Sequence, residues 1–376
     1  MLLEIDHNDL ELFIKKHFET KLSLFIWGTI GIGKSWTVKN VSKKLAEKHG
    51  REFRDWNTLS KEEKHEIEKN PDKYFVYIDI RLSQIDPSDL RGLPSLNGSD
   101  AVEWKIPYWL KIVALKDIMG ILFFDEINLA PASIQSSAYQ LIHDRALGEV
   151  SISDKVGIIS AGNRIEDKAN VYDLGKPLQN RFDHVTLKVP SAKEWTDWAI
   201  ENNVDSRIIA FINARPSLLM GDLGIKSSDM AFPTPRTWAK NCSNLIQDVK
   251  DLRTIEKFAS SAVGSGVAME FASFLKFQRE IDLDAIIQKP KSIAKITDLD
   301  LKYSLVFMLT EWFNENKSIK SLDTILQCAL AFSPEFAFLL LRMVIRKHKA
   351  YFRKNVAQLK TWSEIWKEYG KYLKVQ

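Results

Sequence analysis

The stretch FIWGTIGIGKSWTV, Phe25 to Val38, constrains this chain more than any other. An apolar run, LSLFIW (22–27), enters a glycine-rich turn and leaves into a helical pattern in which Val38, Val41 and Leu45 share one face. Gly28-Thr29-Ile30-Gly31-Ile32-Gly33-Lys34-Ser35 fits G-x-x-x-x-G-K-[ST]. Backbone N–H groups can wrap a phosphate only where side chains do not obstruct them, and a following helix N-terminus adds partial positive charge. In that frame Lys34 neutralises phosphate oxygens and the Ser35 hydroxyl ligates Mg²⁺. The alternative is a tight strand-to-helix turn with no ligand.

Four more apolar runs read as buried strands: YFVYIDI (74–80), GILFFDE (120–126), VGIISAGN (156–163) and HVTLKV (184–189). Helical patterns separate several of them, for instance Ile134, Ala138, Leu141 and Ile142 after Pro131. Strands alternating with helices predict an α/β fold, a parallel sheet with helices on both sides. Residues 1–20 read as a short helix, and the charged segment 51–72 as a surface helix or loop. After Pro190 the strand signals stop. Residues 191–287 read as a helical lid and 288–376 as a further helical region, so the expected division is 1–190, 191–287 and 288–376, with an insertion at about 81–116.

A chain of 376 residues with 45% hydrophobic and 27% charged residues is an ordinary globular composition for two or three domains. Cys242 and Cys328 stand far apart without histidines at metal spacing, which suits two reduced thiols in a cytoplasmic protein. The first residues carry acids where a signal peptide needs bases, and no apolar run reaches the roughly 20 residues of a membrane helix. Net charge is +4, but Leu341–Lys374 holds ten Lys/Arg against two Glu, a local +8 that leaves about −4 elsewhere. That basic tail, interleaved with Trp362 and Trp366, either touches nucleic acid or is an amphipathic closing helix.

Downstream residues give the glycine turn a chemistry. In ILFFDEIN a buried strand ends in Asp125 and Glu126, where α/β sheets bind ligands. Asp125 would hold Mg²⁺ through water, and Glu126 would polarise the attacking water. Asn163 ends the next strand, where an amide can orient water. Arg181 in PLQNRFDHV can stabilise phosphoryl charge across a subunit interface, and Pro235 in FPTPRTW can open a helix with Arg236 in its first turn. Each arginine alone would read as an ordinary surface residue.

In this order the pieces resemble the AAA+ ATPases, and more narrowly the MoxR and dynein-related group. DIRLSQIDPSDLRGLP (79–94), WKIPYWL (104–110), DEINLAP (125–131), AYQLIHDRALGE (138–149), SAGNRIED (160–167), LQNRFDH (178–184) and AFPTPRTW (231–238) carry the likeness, which spans roughly residues 20–280. It implies ATP and Mg²⁺, with Gly31 to Trp36 contacting the phosphates and Ser35 and Asp125 serving the metal. Glu126 resembles the catalytic base, Asn163 the polar sensor, Arg181 the trans-acting finger and Arg236 the lid sensor. It implies a homo-oligomeric ring, often hexameric, that remodels a protein client, sometimes one with a von Willebrand factor A-type domain. A nucleic-acid motor or loader is the alternative; a slow nucleotide switch and a GTPase fit less well, the latter for want of an Asn-Lys-x-Asp quartet. One departure is that only ten residues separate Arg145 from the strand at Val156, which leaves room for a minimal hairpin and argues against threading through a pore. Trp104, Pro107, Tyr108 and Trp109 of the insertion either contact a partner or form a small satellite core.

Overall fold

A computed structural model describes residues 2–95, 103–164, 174–221, 230–278 and 281–373. The chain divides at Val189/Pro190 into two compact units.

The first unit is an α/β sandwich. In chain order its elements are β1 (Leu3–Ile5), α1 (His7–Thr20), β2 (Leu24–Trp27), α2 (Lys34–Lys48), β3 (Glu52–Asp55), α3 (Lys61–Lys69) and β4 (Tyr74–Arg81). The insertion follows, with α4 (Pro87–Arg91), β5 (Leu93–Ser95), β6 (Glu103–Lys105) and α5 (Tyr108–Val113). Then come β7 (Met119–Asp125), α6 (Ala132–Asp144), β8 (Ala146–Leu147), β9 (Val150–Ser151), β10 (Val156–Gly162), α7 (Lys176–Gln179) and β11 (Asp183–Leu187). Seven strands form one sheet in the order β1-β11-β2-β10-β7-β4-β3, and every pairing in it is parallel.

The apolar runs follow from this topology. Strand side chains alternate faces, and helices cover both, so both faces must be apolar. On β7, Ile121 and Phe123 join α1 and α2 in one layer, with Leu10, Ile14, Val38 and Leu45. Leu122 and Phe124 join the opposite layer, with Ile134 and Leu141 of α6 and Leu110 of α5. Burying each such side chain contributes about 1.5–3 kcal/mol.

The five strands expected from sequence are present, and two more close the sheet edges. Strand β1 precedes α1, so the first helix starts at His7, where Asp6 accepts from the amides of Asn8 and Asp9. Strand β3 lies inside the segment expected to be helix or loop; its residues are exposed or half-buried, as suits an edge. Helix α3 follows, started by a Ser60/Glu63 capping box.

The insertion serves in part as core. Leu82, Leu90, Leu110, Ile112 and Val113 are fully buried against the sheet. Its antiparallel ribbon, β5 with β6, stays outside, with Leu93 62% and Trp104 55% exposed. The segment between Arg145 and Val156 forms a hairpin of two residues per strand, β8 with β9.

The second unit is helical: α8 (Ala192–Glu201), α9 (Ser206–Ala214), a π-helical turn at Thr237–Cys242, α10 (Ser243–Ile246), α11 (Leu252–Val263) and α12 (Ser265–Gln278). It continues through α13 (Leu283–Gln288), α14 (Leu299–Glu315), α15 (Ile319–Ala331), α16 (Pro334–Lys347), α17 (Lys349–Asn355) and α18 (Lys360–Leu373). One apolar core runs from Trp195 to Tyr369, so the boundary expected at 287/288 falls within α13 and within this core. In the basic tail, Phe352, Ile365 and Tyr369 pack inward, while Arg342 and Arg346 reach Asp197. Cys242 and Cys328 are buried and free. No described helix is long and apolar enough to cross a membrane.

Gly120 marks the tightest approach in the sheet. A Cβ there would collide with the Val76 carbonyl oxygen of the adjacent strand. Gly120→Ala is therefore expected to lower stability by about 2 kcal/mol or more, seen as a shifted urea midpoint with unchanged slope. A midpoint within error of the parent would show that the sheet relaxes there without cost.

Candidate active site

The parallel register brings the carboxyl ends of β2, β10, β7 and β4 together: Ser160 lies opposite Phe25 and Phe124, and Arg81 opposite Asp125. The glycine turn leaves β2 at this edge. Gly31 and Gly33 take φ of 76° and 101°, a left-handed backbone that glycine adopts at little cost. Helix α2 begins at Lys34 with no side-chain cap. Its first amides have no intrahelical acceptor, which leaves donors at a positive helix end for an anion.

Lys34 is only 8% exposed. Its Nζ donates to the carbonyls of Gly28 at 2.6 Å and Thr29 at 2.9 Å, and to Oδ1 of Asn163 at 3.1 Å. The Ser35 hydroxyl donates to Oδ2 of Asp125 at 2.6 Å. Hydroxyl and carboxylate oxygens side by side are a hard donor pair that fits Mg²⁺, an ion that completes its octahedron with waters and phosphate oxygens. Glu126 follows in a left-handed conformation, φ 56°, and its Oε2 accepts from the Ser83 hydroxyl at 2.8 Å. Five of the expected residues, Lys34, Ser35, Asp125, Glu126 and Asn163, thus form one connected edge.

Arg181 and Arg236 are not part of that network. Arg181 is exposed, between α7 and β11, and its Nε donates to the Tyr139 hydroxyl at 3.4 Å. Arg236 belongs to the second unit, exposed in the helical turn that Pro235 opens. Trp36 is 41% exposed, and Ile32 is buried beneath the turn.

Four supporting residues escaped sequence reasoning. Asn128 clamps the backbone of Asn163, donating from Nδ2 to its carbonyl at 2.7 Å and accepting from its amide at 3.1 Å. His7 Nε2 donates to the Ile32 carbonyl at 2.9 Å, pinning the turn to the start of α1. Ser83 holds Glu126. Asp79, near the end of β4, faces Asp125 electrostatically. Only Asn128 had a signal, as a polar residue two positions after Glu126; the others depend on strand register and on the path of the insertion.

Burial pushes the Asp79 carboxyl up to about 6, aided by the charges of Asp125, Asp55 and Glu126 and opposed by Arg81. The value in the unfolded chain is near 3.8. A folded value above the unfolded one means that the protonated form stabilises the fold at low pH, and that this stability is lost as pH rises through about 6. In the nucleotide- and metal-free protein, Asp79→Asn is expected to gain about 1–2 kcal/mol at pH 8 and roughly half that at pH 5. Thermal melts of both proteins at the two pH values check this; an equal gain at both would refute it.

No protein-family model matches this chain, and no curated protein matches it. Among solved structures, a mutant of RuvB from Thermotoga maritima aligns at 15% identity and TM-score 0.34, covering 74% of each chain. A second Thermotoga maritima RuvB variant aligns at 12% and 0.36, covering 92% of this chain and 85% of that one. NtrX from Brucella abortus in complex with ADP aligns at 14% and 0.37, covering 84% and 66%. Likenesses this distant carry no weight on function, which rests on the site itself.

Proposed function

We propose that the chain is a Mg²⁺-dependent ATPase of the AAA+ type, of the MoxR-like group, working as a ring of identical subunits on a protein client. The observation that carries this reading is the 2.6 Å pair of Ser35 and Asp125, set between Lys34 and Glu126 on one sheet edge. A hydroxyl from the glycine turn and a carboxylate from a neighbouring strand need not meet for folding alone. For binding a metal–triphosphate they must.

The roles follow from the chemistry of each group. The amides from Gly31 to Trp36 bind the phosphates. Lys34 exchanges its backbone carbonyls for phosphate oxygens, and Ser35 and Asp125 hold the Mg²⁺. The bound Mg²⁺ supplies charge neutralisation at the β- and γ-phosphates. Glu126 orients and polarises the attacking water, and Asn163, kept in place by Asn128, positions the γ-phosphate side of the site. Arg181 serves a neighbouring subunit, and Arg236 serves the nucleotide from the helical unit. The family likeness supports the two arginine roles and the client, which belong to the assembled ring. The two-residue hairpin β8–β9 favours work on a client's surface over threading.

Two measurements test the reading. Glu126→Gln is expected to lower ATP turnover at least about 100-fold while nucleotide affinity is kept, and unimpaired turnover would remove Glu126 from its role. Turnover per subunit is expected to rise with protein concentration through the assembly range, and Arg181→Ala to flatten that rise. A rate independent of concentration in the parent protein would sink the trans-acting arginine.

A further inference from the structure

A cavity of about 940 Å³ opens beside the glycine turn. Ser35 and Trp36 of α2, Asp79 and Arg81 of β4, and Lys105 and Trp109 of the insertion line it. Ser35 is the hydroxyl that meets Asp125, so the cavity reaches the proposed metal–phosphate locus.

That end of the cavity needs positive charge. A triphosphate brings more negative charge than one Mg²⁺ and one lysine cancel, and Asp125 and Glu126 add to the excess. Lys39 is taken by Asp55 at 2.5 Å. Lys105 stands on the ribbon strand β6. Arg81 is exposed, and among the described residues its guanidinium makes no hydrogen bond and no ion pair.

The acids near Arg81 do not claim it. Asp125 has both oxygens engaged, Oδ2 by the Ser35 hydroxyl at 2.6 Å and Oδ1 by the Glu126 amide at 2.9 Å. Asp79, pushed up chiefly by burial, feels the charge of Arg81 as an opposing effect, yet no ion pair joins the two.

The stem beneath the guanidinium is fixed. Strand β4 pairs with β7 to its last residue, Ile80 opposite Phe124 and Arg81 opposite Asp125. Two residues earlier Asn57 holds the strand, accepting from the Asp79 amide at 3.0 Å and donating to its carbonyl at 2.8 Å. Tyr77, Asp79 and Arg81 share one face of the strand, and Tyr77 packs in the layer with α2. Arg81 therefore rises on the α2 side of the sheet, where Ser35 meets Asp125.

We propose that Arg81 binds the terminal phosphate of the triphosphate from within the same subunit and so distinguishes a triphosphate from a diphosphate. This deepens the ATPase reading above and rests on it. The planar fork of a guanidinium matches two phosphate oxygens at once, and one without a carboxylate partner gives up no ion pair when the anion arrives. Arg181, by contrast, is assigned to a neighbour's site.

The test is calorimetric titration of the full chain with ADP and with the non-hydrolysable analogue adenylyl imidodiphosphate, both with Mg²⁺, for the parent and for Arg81→Gln. The variant is expected to lose at least about 10-fold in affinity for the analogue, while its affinity for ADP stays within about twofold. Retained ADP binding also shows that the variant is folded. A ratio of the two affinities that is the same in variant and parent, whether both fall or neither does, would overturn the role of Arg81. The parent's own binding of both nucleotides would then still support the nucleotide site. A parent that binds neither would overturn the ATPase reading, and this inference with it.

Discussion

One buried ammonium ties the sheet edge together. Lys34 reaches back to the carbonyls of Gly28 and Thr29 and across to Asn163 at the end of β10. A lysine so deeply buried is tolerable only while its donors are matched. Its place in turn depends on Gly33, whose left-handed backbone starts α2 at that point. The neighbouring Ser35 then meets Asp125, and β2, β7 and β10 meet at one locus. An anion arriving there would find an ammonium held by weaker carbonyl partners, ready to be exchanged.

The insertion stands in a double relation to this locus. Its inner residues, Leu90 and Leu110 among them, are core for the sheet, so it cannot be a detachable ornament. Its first turn carries Ser83, which holds Glu126. Its outer ribbon exposes Leu93 and Trp104.

Much of the fold was legible because a parallel sheet covered on both sides demands apolar residues at consecutive positions. YFVYIDI and GILFFDE carry that signature without ambiguity. The edge strands β1 and β3 do not, because an edge needs neither continuous apolarity nor length, and β3 has Phe53 as its one apolar residue, with all four residues exposed or half-buried. The second unit hid its boundary for a related reason. Helices share cores over any sequence distance, and a proline-containing stretch such as QKPKS need not separate domains. Here Ile286 and Ile293 are both buried in the one core that runs to Tyr369.

The sequence by itself determined the glycine turn, the helix that starts from it, and the acids at the end of the third expected strand. Those rest on local rules: glycine's freedom at positive φ, the bare amides of a helix start, and the apolar demand of a covered strand. Only the tertiary structure decided that Asn128 clamps Asn163, that His7 braces the Ile32 carbonyl, that Ser83 holds Glu126, and that Asp79 lies beside Asp125 with a buried oxygen unmatched. The three hydrogen-bonded contacts join residues 25 to 43 positions apart, on elements whose order in the sheet is not their order in the chain. Register and crossover set them, and no single segment carries that information.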